Sequence, residues 1–105
     1  MQKPNLEYIN RLSRGDKSIK TELIEVIKTE FPKEKKEYYE SLEKREFKKI
    51  EENVHTLKHK ISILGLEKSY EIANQFEHNL REHSLDKKED FDKILIAISD
   101  YIETI

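Results

Sequence analysis

The 105 residues contain no cysteine. That excludes a disulfide framework and any thiolate metal site, and it fits a cytoplasmic location. Tryptophan is absent too, and glycine and proline number two each. Those four residues, Pro4, Gly15, Pro32 and Gly65, are the strong breakers, so turns are few and elements long. No stretch approaches the roughly 20 apolar residues of a membrane span. The opening MQKPNLEYIN lacks the apolar run of a secretion signal. Neither sign of charge dominates: 20 basic and 22 acidic residues leave a net charge of −2. No global field therefore points to nucleic acid or a membrane surface. Phosphate-cradling loops are also missing, with no GxxxxGK[ST] and no GxGxxG.

What the chain does have is charge laid over helical periodicity. Charged residues make up 40% and apolar residues 35%, the balance of helices that each carry one narrow apolar stripe. The length suits a single domain, residues 1–105, and a start at Met1 favours a free-standing chain. A short first helix opens at Pro4-Asn5, aligns Leu6, Ile9 and Leu12, and ends at Gly15. Asp16 is placed to cap the second helix. Ile19, Leu23, Val26 and Ile27 lead that helix to Phe31-Pro32, where the proline kinks or restarts it. The pattern resumes through Tyr38, Tyr39 and Leu42. In the third helix Phe47, Ile50, Val54, Leu57, Ile61 and Leu64 form a heptad-like stripe. The fourth carries Leu66, Tyr70, Ala73, Phe76 and Leu80. The fifth, capped by Ser84 or Asp86, carries Phe91, Ile94, Leu95, Ile98, Tyr101 and Ile102. Nothing alternates like a strand. Long helices joined by short turns predict an all-α fold, an antiparallel up-down four-helix bundle with a short accessory N-terminal helix.

In the stretch VHTLKHKISILG, residues 54–65, His55 is either an ordinary histidine of a charged helix surface or the residue that carries chemistry. At about 100° per residue, His55 lies roughly 130° from the centre of the apolar stripe, outside the core. Glu51, Lys58, His59 and Ser62, at offsets of three, four and seven, are expected on the same exposed flank. A neutral imidazole nitrogen is a good nucleophile near neutral pH and accepts a phosphoryl group as a covalent intermediate. Phosphoryl transfer asks for in-line positioning and charge stabilisation. Lys58, one turn along, suits pairing with the phosphoryl oxygens. Gly65 is expected to end the helix in left-handed geometry and to let it pack closely into the next one.

His55-Thr56-Leu57-Lys58 with Gly65 ten positions after the histidine resembles the motif of histidine-containing phosphotransfer (HPt) domains. The opening NLEYINRLSRGDKS resembles that family's short first helix and the turn into its second, and the helix order matches over nearly the whole chain. The resemblance implies a phosphocarrier with no kinase activity of its own and no bound cofactor. His55 would be the phosphoacceptor through Nε2 and Lys58 the stabilising cation. Mg²⁺ and the aspartates would come from partner receiver domains, one of them on a hybrid sensor kinase. The first helix, through Leu6 and Ile9, would join Glu51, His59 and Ser62 in receiver docking. The protein is expected to act as a monomer. The family usually has glycine where this chain has His59, and a small residue where it has Lys60. That substitution predicts a bulkier, more basic rim that tunes partner choice.

Two rivals remain in the sequence. Glu52-x-x-His55 is half of a di-iron pattern, but no second such pair exists. His55 and His59 lack the glutamate of HExxH, so no metal site is expected. The mixed-sign run KEKKEYYESLEKREFKKIEEN fits a solvated helix face. It also leaves open a non-catalytic helical interaction module that never acquires phosphate. His78 and His83 read as solvent-facing.

Overall fold

A computed structural model describes residues 2–105; Met1 lies outside them. Five helices follow one another: α1 (Glu7–Ser13), α2 (Lys17–Glu43), α3 (Phe47–Ile63), α4 (Glu67–Arg81) and α5 (Lys88–Ile102). There is no strand among the described residues. α2 has 27 residues, about 40 Å at 1.5 Å per residue, and it sets the 44 Å long axis of the molecule. Turns of a few residues reverse the chain between α2, α3 and α4. α5 then packs on both α4 and α2, which closes the expected four-helix bundle with α1 laid against α2.

Each long helix contributes one stripe to the core. Ile27, Phe31 and Tyr38 come from α2, and Ile50, Val54, Leu57 and Ile61 from α3. Ala73, Phe76 and Leu80 come from α4, and Phe91, Ile94, Leu95 and Ile98 from α5; all are essentially inaccessible. Each large apolar side chain so buried stabilises the fold by about 1.5–3 kcal/mol relative to exposure. Tyr38 packs edge-on against Phe91, ring centroids 5.2 Å apart, and its hydroxyl donates to Asp92 (2.8 Å). Asn53 is the buried polar residue that sets the register of α3 on α2. Its amide donates to the Glu37 carbonyl and to Ser41 Oγ, each at 3.1 Å. Both bonds would be lost by sliding one helix a single turn.

Helix boundaries follow local chemistry, with corrections. Asp16 caps α2 as expected, accepting from the Ser18 and Ile19 amides. Pro32 does not restart the helix, and α2 runs through it. The ring is exposed while Phe31 beside it is buried, so packing on the inner face holds the helix together across the proline. Ile19, Val26 and Leu12 are more than 40% exposed, because the N-terminal part of α2 has only the short α1 against it. Neither Ser84 nor Asp86 caps α5. Its N-cap is Lys87 at φ +78 with no side-chain cap, while Ser84 Oγ accepts from the Asp86 amide to form the preceding turn. Gly65 does end α3 in left-handed geometry, φ +77. The close neighbour it permits is Asn5 rather than the next helix. A Cβ at Gly65 would lie 2.6 Å from the Asn5 side chain, and the Asn5 amide donates to the Leu64 carbonyl (2.9 Å). This contact ties the start of α1 to the end of α3.

Candidate functional site

Val54, Leu57 and Ile61 pin the inner face of α3 in the core, so His55 on the outer face is held by a rigid backbone. Its side chain is 59% exposed. One ring nitrogen, Nδ1, lies 3.0 Å from Glu77 Oε1 on α4. Glu77 is a buried carboxylate, 8% exposed, and its other oxygen accepts from Lys58 Nζ at 2.7 Å. Arg81, one turn along α4, bridges Glu77 Oε1 (3.5 Å) and Glu51 Oε2 (2.7 Å). His55, Glu51, Glu77 and Arg81 line one open cleft of about 470 Å³ together with Glu52 and Thr56.

Glu77 organises this cluster. Burial alone would raise its carboxyl pKa; hydrogen bonds from Lys58 and His55, and their charges, outweigh burial and hold it below the ordinary value. It is therefore an anion, and an anionic carboxylate only accepts. The proton of the neutral imidazole must then sit on Nδ1, which leaves the lone pair on the outward Nε2. Such a bond fixes tautomer and ring orientation and strengthens the far nitrogen as a donor of electrons.

The two lysines differ from their sequence reading. Lys58 is not on the exposed flank: its side chain is 10% exposed and its ammonium lies 5.1 Å from the centre of the Tyr70 ring. On the wheel it is 60° from His55 but only 40° from Val54, so α4 covers it. Lys60 is not on the rim of the histidine at all. It lies about 140° around α3 from His55 and bonds to Glu30 (2.9 Å) and Glu34 (3.2 Å) of α2. His59 and Ser62 are exposed as expected, and Glu51 is half-buried under Arg81. From α1, Ile9 is fully buried and absent from the surface; Leu6 is packed against the core. The large apolar α1 side chains that do reach the surface are Tyr8 and Leu12, which border a second cleft of about 330 Å³ with His59, Ser62, Ile63 and Tyr70. His78 and His83 are exposed, and His83 stacks on Phe47 at 4.8 Å.

Neither the motif nor the helical period of α3 points to Glu77 or Arg81, which lie on α4. The signal for Glu77 was present: it sits four residues after Ala73 and three before Leu80, inside the apolar stripe of α4. A carboxylate at a core position needs a cation, and Lys58 at the edge of the α3 stripe is its match.

A family model described as Hpt domain matches residues 22–105. The matched stretch takes in α3, α4, α5 and most of α2, and leaves α1 outside. No curated protein and no solved structure gives a match.

Proposed function

Since the chain belongs to the Hpt domain family, whose members carry phosphoryl groups on histidine in phosphorelays, we propose that His55 is the carrier residue. It takes the group from the aspartate of a hybrid kinase's receiver domain and passes it to the aspartate of a response regulator. The observation that carries this reading is the exposed imidazole with its back nitrogen tied to a buried carboxylate.

The step balances within the site. Nε2 attacks phosphorus in line, the acyl phosphate bond breaks, and the aspartate leaves as a carboxylate. The ring becomes a phosphorylated imidazolium with its proton on Nδ1, and that positive charge faces Glu77. Transfer to the next aspartate reverses the same changes. Lys58 and Arg81, both bonded to Glu77, supply the positive potential that the phosphoryl oxygens meet. Glu51, His59 and Ser62 form the receiver's landing surface next to His55. The first helix adds to it through Tyr8 and Leu12, its exposed large apolar side chains. Mg²⁺ comes with the receiver, residues 1–105 act as one unit, and the protein works as a cytoplasmic monomer. No described helix is long and apolar enough to cross a membrane.

The test is transfer from a phosphorylated receiver domain to the purified chain, followed by stability of the adduct. Label should form, resist alkali, vanish in acid, and be lost in His55→Ala. In Lys58→Ala it should form more slowly. Label that persists in His55→Ala, or a wild-type chain that never acquires label, overturns the assignment; the second result leaves the helical interaction module.

A further inference from the structure

His55 has a second imidazole beside it. His59 lies one turn on along α3, both rings are exposed, and their centroids are 5.7 Å apart at an interplanar angle of 68°. With Nδ1 of His55 bonded to Glu77, its Nε2 presents a lone pair to solvent. A histidine whose rear nitrogen donates to a carboxylate is the arrangement seen in metal-ligating imidazoles, because that bond orients the ring and raises its basicity. A zinc-type ion sits about 2.1 Å from a ligating imidazole nitrogen, so each ring centroid lies about 3 Å from it, and at a tetrahedral angle the two centroids sit about 5 Å apart. At 5.7 Å the two centroids are slightly farther apart than that, so sharing an ion requires the exposed rings to turn toward each other.

Against the expectation drawn from the missing HExxH glutamate, and with no third ligating side chain grouped with them among the described residues, we propose that His55 and His59 chelate a divalent late transition-metal cation, and that the bound ion occupies the nitrogen that otherwise takes the phosphoryl group. Imidazole favours Zn²⁺, Cu²⁺ and Ni²⁺, whereas Mg²⁺ prefers oxygen ligands and keeps its water. Two protein ligands leave the remaining positions to water, so binding is reversible. Attachment to the first imidazole makes the second an intramolecular event, which sets affinity for the pair above that for either ring. Metal-bound and phosphorylated states then exclude each other, because both use one lone pair on Nε2. The blocking half of the proposal rests on His55 being the phosphoacceptor; the chelate itself does not.

The experiment uses the full chain without a polyhistidine tag. Calorimetric titration with Zn²⁺ should give one ion per chain, bound roughly tenfold or more tightly than by His55→Ala or His59→Ala. His78→Ala should bind like the wild type, and Mg²⁺ should give no heat. In the transfer assay each protein is compared with itself, with and without Zn²⁺. His59→Ala should need roughly tenfold more Zn²⁺ for the same fractional inhibition as the wild type. Equal Zn²⁺ affinity in wild type and His59→Ala overturns the chelate. Equal inhibition of both, as from an ion acting on the receiver, overturns the block. If no label forms even without Zn²⁺, the phosphocarrier reading fails and takes the block with it, while calorimetry still decides the chelate.

Discussion

Two lysines on α3, Lys58 and Lys60, are buried to the same extent and bonded to carboxylates on neighbouring helices, yet they make different structures. Lys58 faces α4 and meets one carboxylate, Glu77, whose second oxygen holds His55. Every strong acceptor there has a partner, and the pair ends in an exposed imidazole. Lys60 faces α2 and meets two carboxylates, Glu30 and Glu34. Glu34 Oε1 is buried and accepts from no described residue. The pKa shifts separate accordingly. Glu77 is held below the ordinary carboxylate value, while burial lifts Glu34 above it despite Lys60. Burial of a lysine does not by itself mark a site. What marks one is whether the ion pair has a further bond to give to a reactive group.

The largest way to break this contrast is at Glu77. Glu77→Ala leaves the Lys58 ammonium buried without its carboxylate and should cost about 3 kcal/mol of stability, read as a lowered urea midpoint at unchanged slope. It also frees the His55 ring, so phosphoryl acceptance should fall by roughly tenfold or more. Glu77→Gln retains an oxygen that can accept from Nδ1 and should recover part of the transfer rate. If Glu77→Ala accepts label at the wild-type rate, the carboxylate only packs the helices.

Lys60→Ala is the matched control. It leaves Glu34 without a cation, but Glu34 is partly accessible and can take up a proton. The expected cost is about 1 kcal/mol, with transfer rate unchanged. An equal loss of transfer in Lys60→Ala would show that the two ion pairs act as one, and the contrast would collapse.

The two lysines also show what was legible in the sequence. The five helices, the Asp16 cap and the Gly65 stop follow from period and local chemistry, and the structure contains each. The family motif located His55. The sides of α3 were harder, because Lys58 and Lys60 stand at the two edges of the apolar stripe. Whether an edge position is covered depends on how far the neighbouring helix wraps, which is a tertiary property that period alone does not carry. Glu77 was readable only by pairing a charge in one stripe with a charge in another. The Asn5 contact at Gly65 involves partners sixty residues apart and left no local trace beyond the glycine itself. The cap of α5 failed for a related reason. Ser84 and Asp86 are good capping types, but Ser84 is spent on its own turn while the Asp86 carbonyl accepts from Asn79 Nδ2.

The smallest expected effect is the sharpest, because the two carboxylates should respond to pH with opposite signs. The folded pKa of Glu77 lies below its unfolded value, near 4.5. Its stabilising contribution is therefore complete above that value and is lost as pH falls through the folded pKa. The folded pKa of Glu34 lies above 4.5. Its ionisation opposes folding, a penalty that is absent below 4.5 and complete once pH has risen through the folded pKa. Urea midpoints of the wild type, Glu77→Gln and Glu34→Gln should separate on that basis. Glu77→Gln should be less stable than wild type at neutral pH and should converge with it in acid. Glu34→Gln keeps the Lys60–Glu30 pair and removes the penalty. It should match or exceed wild type at neutral pH, by no more than about 1 kcal/mol, and lose that advantage below 4.5. A deficit of the same sign and pH course in both variants would mean that Glu34, too, is a satisfied partner of its lysine. The distinction between the two faces of α3 would then rest on His55 alone.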